Sequence, residues 1–312
     1  MPPTPTLPLL PDAGTDQSPG SLITQDGQVQ WAGILFGPGT DYPIADSGLT
    51  GWADLPGLDS GDVLRPDQHG AWPGAQWAQS RIVSAPVWLL PGSLDLTAEV
   101  VRRFRAATAV DSTERWLAVR LHGETLACRA RVNQRVIPHD RMFVTRGTAK
   151  ATVQWVCADP RRLTVEERAA TTGLPVAERG LAWGKGLSWP LQWGQAGSSG
   201  LITVVNTGDA PASPVVTFRG PLRLPSLTRI DDGTRLEYDI ALAPSDTLTV
   251  DTSAGTVLLN GSASRIHTAT TYSAPEQTFL LAPGDTAFAF RCAPETGGTG
   301  ASVTVTWRSS HW

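Results

Sequence analysis

Apolar and polar residues alternate along most of this chain, with the period of two that a half-buried β-strand requires. Strands are predicted at 81–90, 115–121, 125–132, 141–146 and 149–157. The last is the clearest: Val153, Trp155 and Cys157 fall on one face, and Pro160 ends the run. Residues 21–36 read as a hairpin, with Leu22-Ile23-Thr24 on one strand, a turn at Asp26-Gly27, and Val29 and Trp31 sharing a face of the other. A helical period is clear once, over about 95–107, where Leu96, Val100 and Phe104 repeat every four residues. Asp95 is placed to cap that helix, and Arg102, Arg103 and Arg105 fall in its last turns. After residue 200 the alternation returns in about ten short segments. Leu236, Tyr238, Ile240 and Leu242 form one, Leu248 and Val250 another, then Val257 and Leu259, Phe288 and Phe290, and Val303, Val305 and Trp307. Turn signals at Asp232-Gly233, Asn260-Gly261 and Pro283-Gly284-Asp285 separate them, which is the pattern of a β-sandwich.

Three stretches escape the alternation. Residues 1–20 are rich in Pro, Gly and Asp and are expected to form a flexible N-terminal arm. Residues 37–80 read as a loop whose Pro-Gly and Trp-Pro-Gly turns leave Trp52, Trp72 and Trp77 looking exposed. A loop of that length in a folded domain is usually functional or ordered by a partner. Residues 173–199 shift to Gly, Trp, Ser and Pro and are taken as a linker. The expected organisation is therefore arm 1–20, N-terminal domain 21–172, linker 173–199 and sandwich 200–312. With 31 Gly and 25 Pro in 312 residues there is little room for long helices, so a helical bundle is excluded and the fold class is mainly β.

Charge adds one asymmetry. The net charge of −4 excludes a basic nucleic-acid binder. Residues 41–70, however, hold six Asp against one Arg, while 99–150 hold ten Arg and one Lys against five acids. Opposite patches suit self-association or an electrostatic fit to a partner. They are equally the two solvated faces of one domain. Asp54, Asp59 and Asp62 on one side and Arg102, Arg103 and Arg105 on the other are the candidate interface residues. Trp52, Trp72, Trp77, Trp189 and Trp193 are the candidate contact aromatics, for a protein surface or, as the alternative, for stacking on sugar rings.

Catalytic chemistry is not legible. The five histidines are scattered without metal-ligand spacing. Gly197-Ser-Ser-Gly200 lacks the frame of a nucleophile elbow, and Asp231-Asp232 with Gly233 reads as a turn rather than a glycosidase pair. No catalytic residue, metal ligand or cofactor site is assigned. Cys128, Cys157 and Cys292 are expected as buried free thiols, with a Cys128–Cys157 bridge as the alternative. The proline-rich start has no basic n-region, and no apolar stretch spans a membrane, so neither a signal peptide nor membrane insertion is expected.

Several ordered features resemble the distal tail proteins (Dit family) of long-tailed, non-contractile bacteriophages, of the type carried by phages of actinobacteria. The first is a strand running into Ala158-Asp159-Pro160-Arg161, and the second is the connector Gly186-Leu-Ser-Trp-Pro190. The most specific is the series Asn206-Thr-Gly208, Pro211, Pro214, Asp251, Asn260-Gly261, Pro283-Gly284 and Trp307. The resemblance implies an N-terminal ring-forming (belt) domain and a C-terminal galectin-like β-sandwich. It further implies a homohexameric ring at the tail tip that joins the tail tube protein to the tail-tip hub protein. The tape measure protein is a further candidate partner, and DNA meets the ring only in transit. Location would be the virion tail, with assembly in the host cytoplasm, and the resemblance implies no enzyme. The polar set around a tryptophan that galectins use for sugar is missing, so the sandwich alone carries no claim to sugar binding. The alternatives are a cell-wall glycan-binding adhesin and another minor tail protein sharing the sandwich.

Overall fold

The computed structural model describes residues 17–176, 198–293, 298 and 300–312. The chain parts into two units between Val165 and Glu166. In the first, an antiparallel sheet runs in the order β2 (Ile34–Phe36), β1 (Val29–Trp31), β8 (Arg115–Leu121), β9 (Glu124–Val136), β10 (Ala149–Cys157) and β7 (Arg81–Leu89). The thirteen-residue β9 organises it. Its first half pairs with β8, from Leu121 opposite Glu124 to Arg115 opposite Ala130, and β11 (Arg162–Thr164) adds to its other side. From Arg131 onward it pairs with β10 instead. The two halves of the sheet close on one core, in which the Trp155 ring lies 5.9 Å from both Trp31 and Phe36.

Strict alternation explains β7 and β10, where every second residue is buried and Val83, Ala85 and Val87 face the same core as Val153, Trp155 and Cys157. Helix α1 (Thr97–Ala107) covers that core with Val100, Val101 and Phe104. Leu96 is exposed, and Asp95 falls in a preceding 3-10 turn and makes no cap. The helix thus starts two residues later than its apolar repeat suggests.

Four more expectations need correcting. The hairpin is 29–36, turning at Ala32-Gly33, because both residues take a positive φ; Leu22-Ile23-Thr24 is not a strand. Residues 141–146 are a short helix, α2 (Arg141–Arg146), not a strand. Asp140 accepts a hydrogen bond from the Phe143 N–H at 2.8 Å, and Gly147 ends the helix at φ +70. These flanking caps outweigh the β-like run of Met142 to Thr145. Trp52, read as exposed, is 3% exposed and belongs to the core. Finally, β12 (Arg168–Gly173), assigned to the N-terminal domain, is hydrogen-bonded into the second unit.

The 37–80 stretch is not all loop. β3 (Leu58–Ser60) pairs with β6 (Gln76–Ala78), and β4 (Val63–Leu64) pairs with β5 (Ala71–Trp72). The bonds Gln79 N–H to Gly57 C=O, Gly61 N–H to Ala75 C=O and Arg65 N–H to Gly70 C=O join these into one long hairpin from 57 to 79.

The second unit is a sandwich. One sheet is β12, β23 (Ser302–Trp307), β14 (Val215–Arg219), β19 (Thr247–Asp251), β20 (Thr256–Leu259) and β21 (Ala263–Ser264). The facing sheet is β13 (Leu201–Asn206), β22 (Gly284–Arg291), β16 (Ser226–Arg229) and β17 (Arg235–Glu237). A small pair, β15 (Leu222–Arg223) with β18 (Ala241–Leu242), closes one side of the shared core. Phe218, Val250, Val303 and Val305 from the first sheet meet Val204, Leu227, Phe288 and Phe290 from the second. Every alternating pair singled out in the sequence delivers at least one buried residue to this core.

Candidate functional site

The residues of the Dit-like series turn out to hold the sandwich together. Asn206, 1% exposed, donates through Nδ2 to the carbonyls of Ala210 (2.8 Å) and Leu281 (3.2 Å) and accepts from the N–H groups of Gly208 and Ser310. A Cβ on Gly208 would lie 1.8 Å from the Ser310 carbonyl oxygen, so only glycine fits there. The Pro214 carbonyl accepts from the Thr252 hydroxyl at 2.7 Å, in the segment where Pro211 also lies, and Asp251 caps its turn through the N–H groups of Ser253 and Ala254. Asn260 and Gly261 both take positive φ between β20 and β21, and Gly284, after Pro283, does so at the start of β22. Trp307 ties the sheets together, its Nε1 donating to the Val205 carbonyl at 3.0 Å. These residues are fold determinants.

In the first unit, Asp159 forms an ion pair with Arg161 at 2.6 Å, and the Pro160 carbonyl accepts from Arg81 Nε at 2.8 Å. Arg81 was not legible as special in the sequence, where it reads as the first residue of a strand. It is 1% exposed, and its Nη1 also reaches the carbonyls of Gly51, Trp52 and Asp54 at 2.6–2.9 Å. One guanidinium therefore fixes the segment that leads into the long hairpin against the end of β10. Burial lowers its pKa, with the cation still protonated. Gly51 completes the anchor, since a Cβ there would meet the Ile82 carbonyl oxygen at 1.8 Å.

Beyond that anchor the hairpin is exposed on both faces. Leu58, Val63, Leu64, Trp72 and Trp77 all present apolar surface, Trp77 at 71% exposure. Asp59 stands directly opposite Trp77 across the β3–β6 pair. Asp62 accepts from the Gly74 N–H at 2.8 Å and so braces the hairpin as well as charging it, while Asp54 accepts from the Gly51 N–H at 2.7 Å in the segment that leads into it. Trp72 lies under the Arg65 guanidinium, 5.5 Å from ring to cation. Trp189 and Trp193, with the 186–190 connector, lie outside the described residues.

The basic side is built differently. Arg102 and Arg105 are exposed on α1, whereas Arg103 pairs with Glu99 at 2.6 Å on the same helix. Arg135 on β9 donates through Nη1 to the carbonyls of Arg105 and Thr108, placing a cation on the helix C-terminus. Arg131 on the same strand is exposed. Beside them the end of α1 leaves a depression of about 230 Å³, lined by Trp31, Ala32, Ala106, Ala107, Ala109, Val110 and Arg131 among others. A larger apolar cavity of about 350 Å³ lies between Val29, Val119 and Leu121 and the segment Pro43 to Leu49. The run Ala106-Ala107-Thr108-Ala109 was the available signal for the first, but small residues ending a helix are too common to announce a pocket.

Cys128 and Cys157 are free thiols within the core, their sulfurs 2.8 Å apart, and burial pushes the Cys128 thiol up. Among the described residues no cluster of His, Cys, Asp and Glu fits a metal, and no helix is long and apolar enough to cross a membrane.

Comparison with known proteins places these features. Residues 207–311 match the family described as siphovirus-type tail component, C-terminal domain. Comparison with curated protein sequences gives no significant match. Among solved structures, the Dit protein (gp 19.1) of phage SPP1 superposes with a TM-score of 0.61 at 12% identity. That alignment covers 91% of this chain and 98% of the SPP1 protein, which is described as a paradigm of the hub adsorption apparatus in phages infecting Gram-positive bacteria. The activated phage P2 baseplate with Ca lies further off, with a TM-score of 0.49 at 9% identity over 89% of this chain and 97% of that one. The mainly β fold, with a helix-capped sheet unit followed by a sandwich, is that of SPP1 Dit, and the second unit matches the siphovirus-type tail component, C-terminal domain, over 207–311.

Proposed function

We propose that this chain is a structural virion protein, the distal tail protein of a siphovirus-type phage. Six copies form a ring at the tail tip that joins the tail tube protein to the tail-tip hub protein. The first units make the ring and the second units, galectin-like sandwiches, point outward; the tape measure protein and, during ejection, DNA pass through the lumen. The protein acts as scaffold without catalysis or cofactor, assembles in the host cytoplasm and ends in the virion tail. The observation that carries this reading is the whole-length likeness to SPP1 Dit, because it spans both units in order rather than the sandwich alone.

A cyclic ring needs a heterologous interface, one patch of each copy meeting a different patch of the next. The acidic hairpin region with Asp54, Asp59 and Asp62 and the basic surface with Arg102, Arg103 and Arg105 supply such a pair, the exposed Arg102 and Arg105 more than the engaged Arg103. The test is the solution mass of the purified chain, alone and with tail tube protein, followed by negative-stain imaging. A species of about 199 kDa, six times 33.2 kDa, seen as a ring with a central hole is the expected result. A chain that stays monomeric and never joins the tube protein overturns the reading. Reversing Arg102, Arg103 and Arg105 to Glu together is expected to abolish the ring, and an intact ring in that variant removes the charge pairing.

A further inference from the structure

Resting on the ring reading, we propose that the contact between neighbouring copies is a knob in a hole. Trp77, on the long hairpin of one copy, seats in the alanine-lined depression at the end of α1 of the next. Asp59, its cross-strand neighbour, meets the arginines that rim that depression.

The knob is unsatisfied in its own chain. Trp77 is 71% exposed on a strand with no second sheet over it, and an indole left in water is the kind of side chain that anchors interfaces. The hole is of a size for one side chain rather than a ligand, about 230 Å³ against the roughly 300–1,000 Å³ of small-molecule sites. Its walls suit a flat ring, since Ala32, Ala106, Ala107 and Ala109 are small, Val110 and Val132 add apolar surface, and only the edge of the buried Trp31 reaches it.

Charge selects this hole over the larger cavity. The hairpin from 57 to 79 carries Asp59, Asp62 and Asp67 against Arg65 alone. The depression is lined by Arg131 and lies beside Arg105, with Arg135 held on the same helix end. Asp111 on its rim is already paired with Arg115 at 2.9 Å. The 350 Å³ cavity is instead bordered by the segment bearing Asp41 and Asp46, which would repel an acidic hairpin. Knob and hole differ and sit on one chain, so the contact propagates head to tail and closes as a ring when the rotation allows.

The test uses the full chain, with p-benzoylphenylalanine in place of Trp77 and native mass measurement before and after irradiation. A cross-link between copies that maps to residues 106–115 or 131 is the expected result. Trp77→Ala, and separately Ala109→Trp, which fills the hole from an exposed position, are each expected to raise the concentration for half assembly by about tenfold or more. Multimers that form while the cross-link maps elsewhere, to another surface or to the tube protein, overturn the knob in a hole and leave the ring reading standing. A wild-type chain that forms no multimer with or without tube protein overturns both.

Discussion

The two units bury their apolar residues to different degrees. Among the described residues of the second, two facing sheets of alternating strands bury most of the large apolar side chains and leave Leu201, Ile230, Ile266 and Tyr272 exposed on separate elements, and the series from Asn206 to Trp307 ties the turns and the two sheets together. The first has an equally dry centre around Trp155, yet a hairpin rich in exposed leucine, valine and tryptophan extends from it, and Leu94, Val110, Met142 and Val144 are exposed as well. The difference teaches where to look for assembly. Apolar surface that the chain cannot cover itself marks an interaction site, and here it gathers on the unit that we assign to the ring.

The largest effects are expected at the two core centres. Trp155→Ala and Phe218→Ala remove large, fully buried rings and are each expected to cost about 3–5 kcal/mol, read by urea unfolding. A much smaller cost at Trp155 would mean that the first unit is not closed around that ring. Next comes Arg81→Met, which keeps the stem but leaves the buried carbonyl of Trp52 and the part-buried ones of Gly51, Asp54 and Pro160 without their donor. A loss of about 3 kcal/mol is expected, because each unsatisfied buried group costs about 1–3 kcal/mol. Hydrogen exchange at 51–54 should rise in that variant; unchanged protection there would remove Arg81 as the anchor of the hairpin. In the sandwich, Gly208→Ala forces a Cβ against the Ser310 carbonyl and is expected to cost about 1–3 kcal/mol, checked by the thermal midpoint.

The smallest effect is on alkaline stability, and both units share it. Burial, helped by Asp41, pushes the Tyr42 hydroxyl up to about 12, while the hydroxyl donates to the Val100 carbonyl at 3.0 Å. Tyr238 is raised as well, by burial and then by Glu276, whose carboxylate accepts a hydrogen bond from the hydroxyl at 3.0 Å. A raised folded pKa means that the folded state holds its proton more tightly than the unfolded chain. The stabilisation is complete below about pH 10 and is lost as pH rises from there through 12. Unfolding midpoints measured across pH 9–12 should fall, and Tyr42→Phe should flatten part of that slope.

Which features were legible follows from the range of the forces that set them. Period-two alternation is local, so β8 and β10 and most of the sandwich strands could be read from the sequence, as could the Asn260-Gly261 turn, whose residue types tolerate positive φ. The short helix at 141–146 was missed because its caps, Asp140 and Gly147, decide against its apolar run. The Gly/Pro context of Trp52 says nothing of what packs above it, and it is the Arg81 guanidinium, 29 residues on, together with the Thr50–Ser84 bridge, that draws that segment inward. The candidate interface divided in the same way. The sequence by itself determined the opposite charge of the two segments, since composition is local. Only the tertiary structure decided that Trp77 stands in water beside Asp59 and that four alanines meet at one depression. Those arrangements depend on contacts between residues far apart in the chain, and no periodicity along the sequence encodes them.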